Sequence, residues 1–145
     1  MPSIKQTITV LATGVFDLLH VEHIRFLAAA KQQGDRLLVG VETDVRVRRL
    51  KGPGRPINSQ EMRLEQVAAL KFVDEAFLLP ERFDAYEDWL ALMKNLRPDI
   101  YAVSAHTEHL DTKEAICRLV GTRLAVVRPH DPSISTSLLV EKMKK

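Results

Sequence analysis

The stretch Ile8-Thr-Val-Leu-Ala-Thr-Gly-Val-Phe-Asp-Leu-Leu-His-Val-Glu-His23 decides how this chain is read. Its first half, Ile8 to Ala12, is an apolar run of strand length. Gly14 then supplies a turn, and a helix is expected from Val21. His20 and His23 therefore stand where a strand hands over to a helix. At that junction the first backbone N–H groups lack intrahelical partners, and the helix dipole favours negative charge. Two imidazoles three residues apart at a helix start can face one side together. A polyphosphate can then be met by both rings and by the backbone, so the segment reads as a phosphate-handling site.

Along the rest of the chain strand-like and helix-like segments alternate. Strands are expected at 7–13, 36–42, 75–79, 99–103 and 123–128. Helices are expected at 21–33, from a Thr43-Asp44 cap through Leu50, from an Asn58 or Ser59 cap to about Lys71, and at 83–96, 111–120 and 135–144. Apolar spacing nominates Ile24, Leu27 and Ala28, then Met62, Leu64, Val67 and Leu70, then Trp89, Leu90, Met93 and Leu96 as core. Short buried strands alternating with helices imply an α/β fold: a single Rossmann-like domain over 1–145, with a five-stranded, mainly parallel sheet and helices on both faces. Ligands of such sheets bind beyond the carboxyl ends of the strands at the switch point, where the histidine pair falls.

Composition narrows the classes. A chain of 145 residues suits one domain with a real core, and a net charge of +2 is too small to argue for nucleic acid. The aromatic residues do not interleave with a basic face, so a stacking platform for single strands is missing. Cys117 is the only cysteine, which excludes an internal disulfide and a four-cysteine zinc site. No apolar stretch approaches the roughly 20 residues that span a bilayer, and no secretory leader is visible; the expectation is a cytoplasmic protein without a membrane partner. The glycine fingerprint of nicotinamide binding, the P-loop and the GxSxG elbow are all absent.

Three further segments carry chemistry. Arg48-Arg-Leu-Lys-Gly-Pro-Gly-Arg-Pro-Ile57, followed by Glu61-Met-Arg63, places cations on a loop shaped by glycine and proline, as a flap over phosphates would need. Ile134-Ser-Thr-Ser137 precedes an apolar helix and reads at least as its N-cap. His106, Glu108, His109 and Asp111 crowd one loop; a metal site there is the weaker reading, a polar loop the plainer one.

The spelling of residues 13–23 resembles the GxFDxxHxGH signature of the cytidylyltransferase-like nucleotidyltransferases. Gly14, Phe16, Asp17, His20 and His23 fall in its register, and Glu22 stands where that family has glycine. Leu50-Lys-Gly-Pro-Gly-Arg-Pro-Ile-Asn58 is similar to the adenylyltransferase domain of bacterial ADP-heptose synthases, and glycerol-3-phosphate cytidylyltransferases share its lysine-glycine step. Phe72-Val-Asp-Glu75 resembles the family's VD step before the third strand. Residues 104–109 depart from the glycine- and aspartate-bearing loop of both relatives.

The resemblance implies nucleotidyl transfer from ATP or CTP to a small phosphorylated acceptor such as a sugar phosphate or glycerol phosphate, with release of pyrophosphate. His20, His23 and Lys51 would be the catalytic donors. Gly14, Val15, Phe16, Arg128, Ser135, Thr136 and Ser137 would bind the nucleotide, and Arg55 and Arg63 the substrate. No protein metal site is implied; Mg2+ would arrive with the nucleotide. A homodimer is implied by analogy alone.

Glu22 qualifies the activity. A carboxylate about 5 Å from one phosphate charge, at an effective dielectric near 20, repels it by roughly 3 kcal/mol, or tens to a hundredfold in affinity. Rotation to solvent or binding of the metal would relieve this. The alternative reading is therefore a catalytically impaired nucleotide-binding protein of the same fold. A metal-dependent hydrolase using His20 and His23, or His106 and His109, is a third.

Overall fold

The computed structural model describes residues 7–83 and 85–127. Ten elements alternate along them: β1 (Thr9–Gly14), α1 (Val21–Lys31), β2 (Arg36–Val41), α2 (Asp44–Lys51), α3 (Gln60–Ala68), β3 (Glu75–Leu78), α4 (Tyr86–Leu96), β4 (Ile100–Ser104), α5 (Leu110–Val120) and β5 (Arg123–Val127). The five strands form one sheet in the order β3-β2-β1-β4-β5. Every adjacent pair is parallel. The chain reverses its direction of travel across the sheet between β1 and β4, so the switch point lies at the carboxyl end of β1.

Two-residue periodicity divides the strands between two cores. Val10 and Ala12, Leu37 and Val39, and Ile100 and Ala102 join Ile24, Leu27 and Val67 under α1 and α3. Leu11, Leu38, Tyr101 and Val103 point the other way and meet Met93, Ile116 and Cys117 of α4 and α5. Both faces of the sheet are thus covered, which is why its strands read as nearly continuous apolar runs. Asp74, in the VD step, accepts from the Leu37 amide at 2.7 Å and pairs with Lys31, tying β2 to α1. Among the described residues no helix is long and apolar enough to cross a membrane.

Among the described residues the expected elements form, with α1, α3 and α4 shorter than expected and α2 and α5 each one residue longer. Thr43 and Ser59 act as caps, accepting from the amides of Arg46 and Met62. One helix is rotated from its expected register. Met62 is half exposed, and the inward positions of α3 belong to Arg63 and Val67, followed by Leu70 just beyond the helix. The helix expected at 135–144 lies outside the described residues.

Candidate active site

The turn after β1 is built around a ring folded back beneath it. Phe16 and Leu18 both adopt left-handed backbone, each at φ 53°. Phe16 is buried, and a Cβ on Gly14 would meet its ring at 2.8 Å, so only glycine lets the ring lie there. The edge of Phe16 meets His23, with centroids 5.6 Å apart and planes at 79°. The turn is therefore held open by packing.

His20 caps α1. Its Nδ1 accepts from the Glu22 amide at 3.1 Å, and the Nδ1 of His23 accepts from the His20 amide at 3.3 Å. A ring nitrogen that accepts carries no proton, so both neutral rings bear theirs on Nε2. The rings stack at 3.9 Å with planes 22° apart. The cap thereby fixes two N–H donors of known tautomer side by side. His23 lines the cleft, whereas His20 stacks on it at the exposed rim.

Burial, reinforced by the charges of His20 and Lys51 and opposed by Asp17, depresses the His23 pKa to about 4. His23 is thus a neutral donor at neutral pH. An NMR titration is expected to show His23 as the Nε2–H tautomer at pH 7, with a midpoint near 4. The unfolded chain takes up this proton first. The His23 contribution to stability is therefore full above about pH 6.5, declines as pH falls from there to about 4, and levels below. A midpoint above 6 would contradict this environment.

Asp17 lies in the same turn and faces the flap. Its carboxylate accepts from the amides of Ile57 at 2.7 Å and Asn58 at 2.9 Å, and the Arg55 Nε is 3.4 Å away. Burial opposes its ionisation, yet these amides and the guanidinium groups of Arg55 and Arg63 outweigh it and hold the carboxyl below its usual range. The aspartate of the signature therefore fastens the loop at 52–58 to the histidine turn. At the start of that loop Gly52 takes φ 100°, which disfavours any side chain.

Arg63 corrects an expectation. It was expected at the substrate, but its side chain is fully buried. Its Nε donates to the Asn58 carbonyl, one terminal nitrogen to the carbonyls of Val15 and Glu42, and the other to Asp44 Oδ1, at 2.7–3.0 Å. It knots turn, flap and α2 together from beneath. Arg55 likewise faces Asp17 and is not among the cleft-lining residues.

The cleft has a volume of about 1030 Å3, room for a nucleotide and a second small molecule. Gly14, Val15, Phe16, His23 and Lys51 are among its lining residues. Arg128, Ser135, Thr136 and Ser137 lie outside the described residues. The opposite wall joins the loop at 104–109 to residues not foreseen at the site: Tyr86 and Trp89 of α4, and Thr112 and Lys113 of α5. Trp89 packs on Phe83 and Tyr101, with centroids at 4.3 and 5.8 Å. Tyr101 in turn shares a 2.8 Å hydrogen bond with Thr13, and burial pushes its phenol well above the usual range. The apolar spacing of α4 had marked Trp89 only as core.

Glu22 also lines the cleft. Its Oε1 lies 3.0 Å from an Arg25 terminal nitrogen, one helical turn along. The Glu22 side chain is also 54% exposed, so the expected relief by solvent is available and the neighbouring cation, which was not expected, adds to it. His106 and His109 are exposed on the far wall. Among the described residues no three His, Cys, Asp or Glu side chains are grouped to hold a metal, so the hydrolase reading finds no ligand set there.

A parallel sheet whose switch-point cleft is lined by His23 and Lys51, with His20 stacked beside them, places the chain among the open α/β domains that bind ligands beyond their strand ends. The chain belongs to the cytidylyltransferase-like family, whose sequence model matches residues 11–142. The bifunctional protein HldE of Campylobacter curvus is 39% identical over 135 residues, covering 93% of this chain and 27% of that protein. The HldE of Pseudomonas fluorescens is 43% identical over 137 residues, 94% of this chain and 28% of that protein. The chain therefore spans little more than a quarter of these relatives. The lipopolysaccharide core biosynthesis protein from Thermoplasma volcanium superposes with a TM-score of 0.68 at 31% identity, covering 85% of this chain and 96% of that one. Membership supports nucleotide transfer as the general class of chemistry.

Proposed function

We propose that this chain transfers a nucleoside monophosphate from ATP or CTP to a small phosphorylated acceptor, releasing pyrophosphate. The observation that carries the reading is the capped histidine pair, which presents Nε2–H donors beside Lys51 at the switch point. An oxygen of the acceptor phosphate attacks the α-phosphorus in line. The bond from that phosphorus to the oxygen bridging the β-phosphate breaks, and pyrophosphate leaves with its electron pair. No protein nucleophile is needed, and catalysis rests on position and on neutralising charge. His23 donates to the α- and β-phosphate region, with His20 beside it at the rim, and Lys51 meets the leaving group. A sugar phosphate is the favoured acceptor, supported by the flap wording at 50–58 and by the lipopolysaccharide-core relative.

Magnesium fits this site as a companion of the nucleotide. Of the cleft carboxylates, Asp17 spends both oxygens on the amides of Ile57 and Asn58, and Glu22, Glu42 and Glu108 stand on separate segments and do not form a cage. Phosphate oxygens would supply most ligands, with Glu22 Oε2 the carboxylate oxygen at the motif. The ion would neutralise phosphate charge. By analogy with the family, the assembly proposed is a homodimer, which sedimentation would measure.

The test is calorimetric titration with ATP and CTP in the presence of magnesium, followed by pyrophosphate release with sugar phosphates and glycerol phosphate. Micromolar binding of one nucleotide with turnover is expected; binding of neither by folded protein overturns the reading. A nucleotide-binding protein without turnover is the second reading, favoured by Glu22 at the cleft wall. Because Arg25 pairs with Glu22, Glu22→Gly is expected to tighten triphosphate binding less than about tenfold, well below the unpaired repulsion. Pyrophosphate release that appears only in Glu22→Gly would establish the second reading.

A further inference from the structure

The wall facing the histidines carries a cation that the motif does not employ. Lys113, in the first turn of α5, lines the cleft. Its Nζ lies 5.2 Å from the centroid of the Trp89 ring and donates to Thr107 Oγ1 at 2.6 Å. Among the described residues no carboxylate is within ion-pair distance of it. Burial lowers its pKa, and Glu108 and Glu42 offset this in part. Lys113 is thus a partly dehydrated ammonium with N–H groups to spare, resting on an aromatic face. Such a group gains most from an arriving anion.

The reaction needs two anions to meet. In-line attack requires the acceptor to approach from the side opposite the departing pyrophosphate. If His23 and Lys51 hold the triphosphate and its leaving group, the acceptor must come from the other wall. α5 follows β4 and covers the sheet face opposite α1, so Lys113 and His23 border the cleft from the two sides of the switch point. We propose that Lys113 receives the phosphate of the acceptor and sets it across the cleft from the triphosphate at His23 and Lys51. This rests on the transferase reading above and names the group that would select a phosphorylated second substrate.

Kinetics with the full chain and direct binding together test it. Lys113→Met keeps the contact with Trp89 and removes the charge. It is expected to raise the acceptor KM about tenfold, the loss of one charge-assisted contact, with the nucleotide KM within about twofold. Lys113→Arg should recover most of the loss. A rise in nucleotide KM instead would place Lys113 in the nucleotide subsite and overturn the proposal. Independently, inorganic phosphate is titrated into His23→Ala protein, in which the opposing anion contact is weakened. Lys113→Met in that background should weaken the remaining phosphate binding about tenfold, with melting curves confirming folded protein. Equal phosphate affinity in both, or none in either, overturns the proposal. A wild-type protein without turnover would defeat the transferase reading, while the phosphate titration would still decide the role of Lys113.

Discussion

Replacing His23 with alanine is expected to lower kcat/KM for pyrophosphate release by about 10²–10³-fold, the usual loss for one preorganised donor at developing charge. His23 is held from three sides before any ligand arrives. Phe16 meets its edge, His20 stacks on its face, and the His20 amide holds its Nδ1. Its proton is therefore committed to Nε2, facing the cleft, with no reorganisation left for the moment of reaction. The alanine variant also releases the His20 amide, so part of its loss comes from a loosened cap. His23→Asn separates the two effects, because its short side chain can accept from that amide but cannot reach as far as Nε2. Pyrophosphate release by both variants, with their melting temperatures, checks the account. A loss under about fivefold in His23→Ala would remove His23 from the machinery.

Arg63→Met is expected to destabilise the chain by about 3–5 kcal/mol, the range for breaking a buried charged network from one side. Three carbonyls, of Val15, Glu42 and Asn58, lose a donor, and Asp44 loses its cation. Lysine is a poor substitute, since one ammonium on a flexible stem cannot reproduce the guanidinium fork across four acceptors. Urea unfolding of the wild type, Arg63→Met and Arg63→Lys would measure this. A loss below about 1 kcal/mol in the methionine variant would mean the acceptors find other partners. Activity should fall with stability, because the same bonds position the turn that carries Phe16 and the loop that follows Lys51.

Arg63 also shows where sequence reasoning reaches its limit. A binary pattern assigns arginine to the surface, so the segment Glu61-Met-Arg63 suggested a cation offered to substrate and Met62 in the core. The reverse holds, because four acceptors from segments up to 48 residues away converge on one guanidinium. No local window contains them. Residues 8–23 were legible because strand, turn and capped helix are written consecutively, and packing there is between near neighbours. The parallel sheet was legible for a similar reason, its strands being buried on both faces. Asp17 was visible as part of the signature, but its partners Ile57 and Asn58 lie 40 and 41 residues on, so its clamp was not. Of the far wall only the loop at 104–109 was marked, since Trp89 and Lys113 acquire meaning only when α4 and α5 pack side by side.

Beyond the pairing of β1 with β4 and the Thr13–Tyr101 hydrogen bond, the two walls of the cleft are fastened separately. The histidine side is bound into one unit by Asp17 and Arg63, whereas the far wall is secured by short-range bonds of its own, Ser104 to the His106 amide and Lys113 to Thr107. A change of side chain between 104 and 113 can therefore be absorbed without disturbing the turn that carries the imidazoles. Over generations such a scaffold can trade one second substrate for another while its nucleotide chemistry stands still, and a designer seeking new acceptors would begin on that wall.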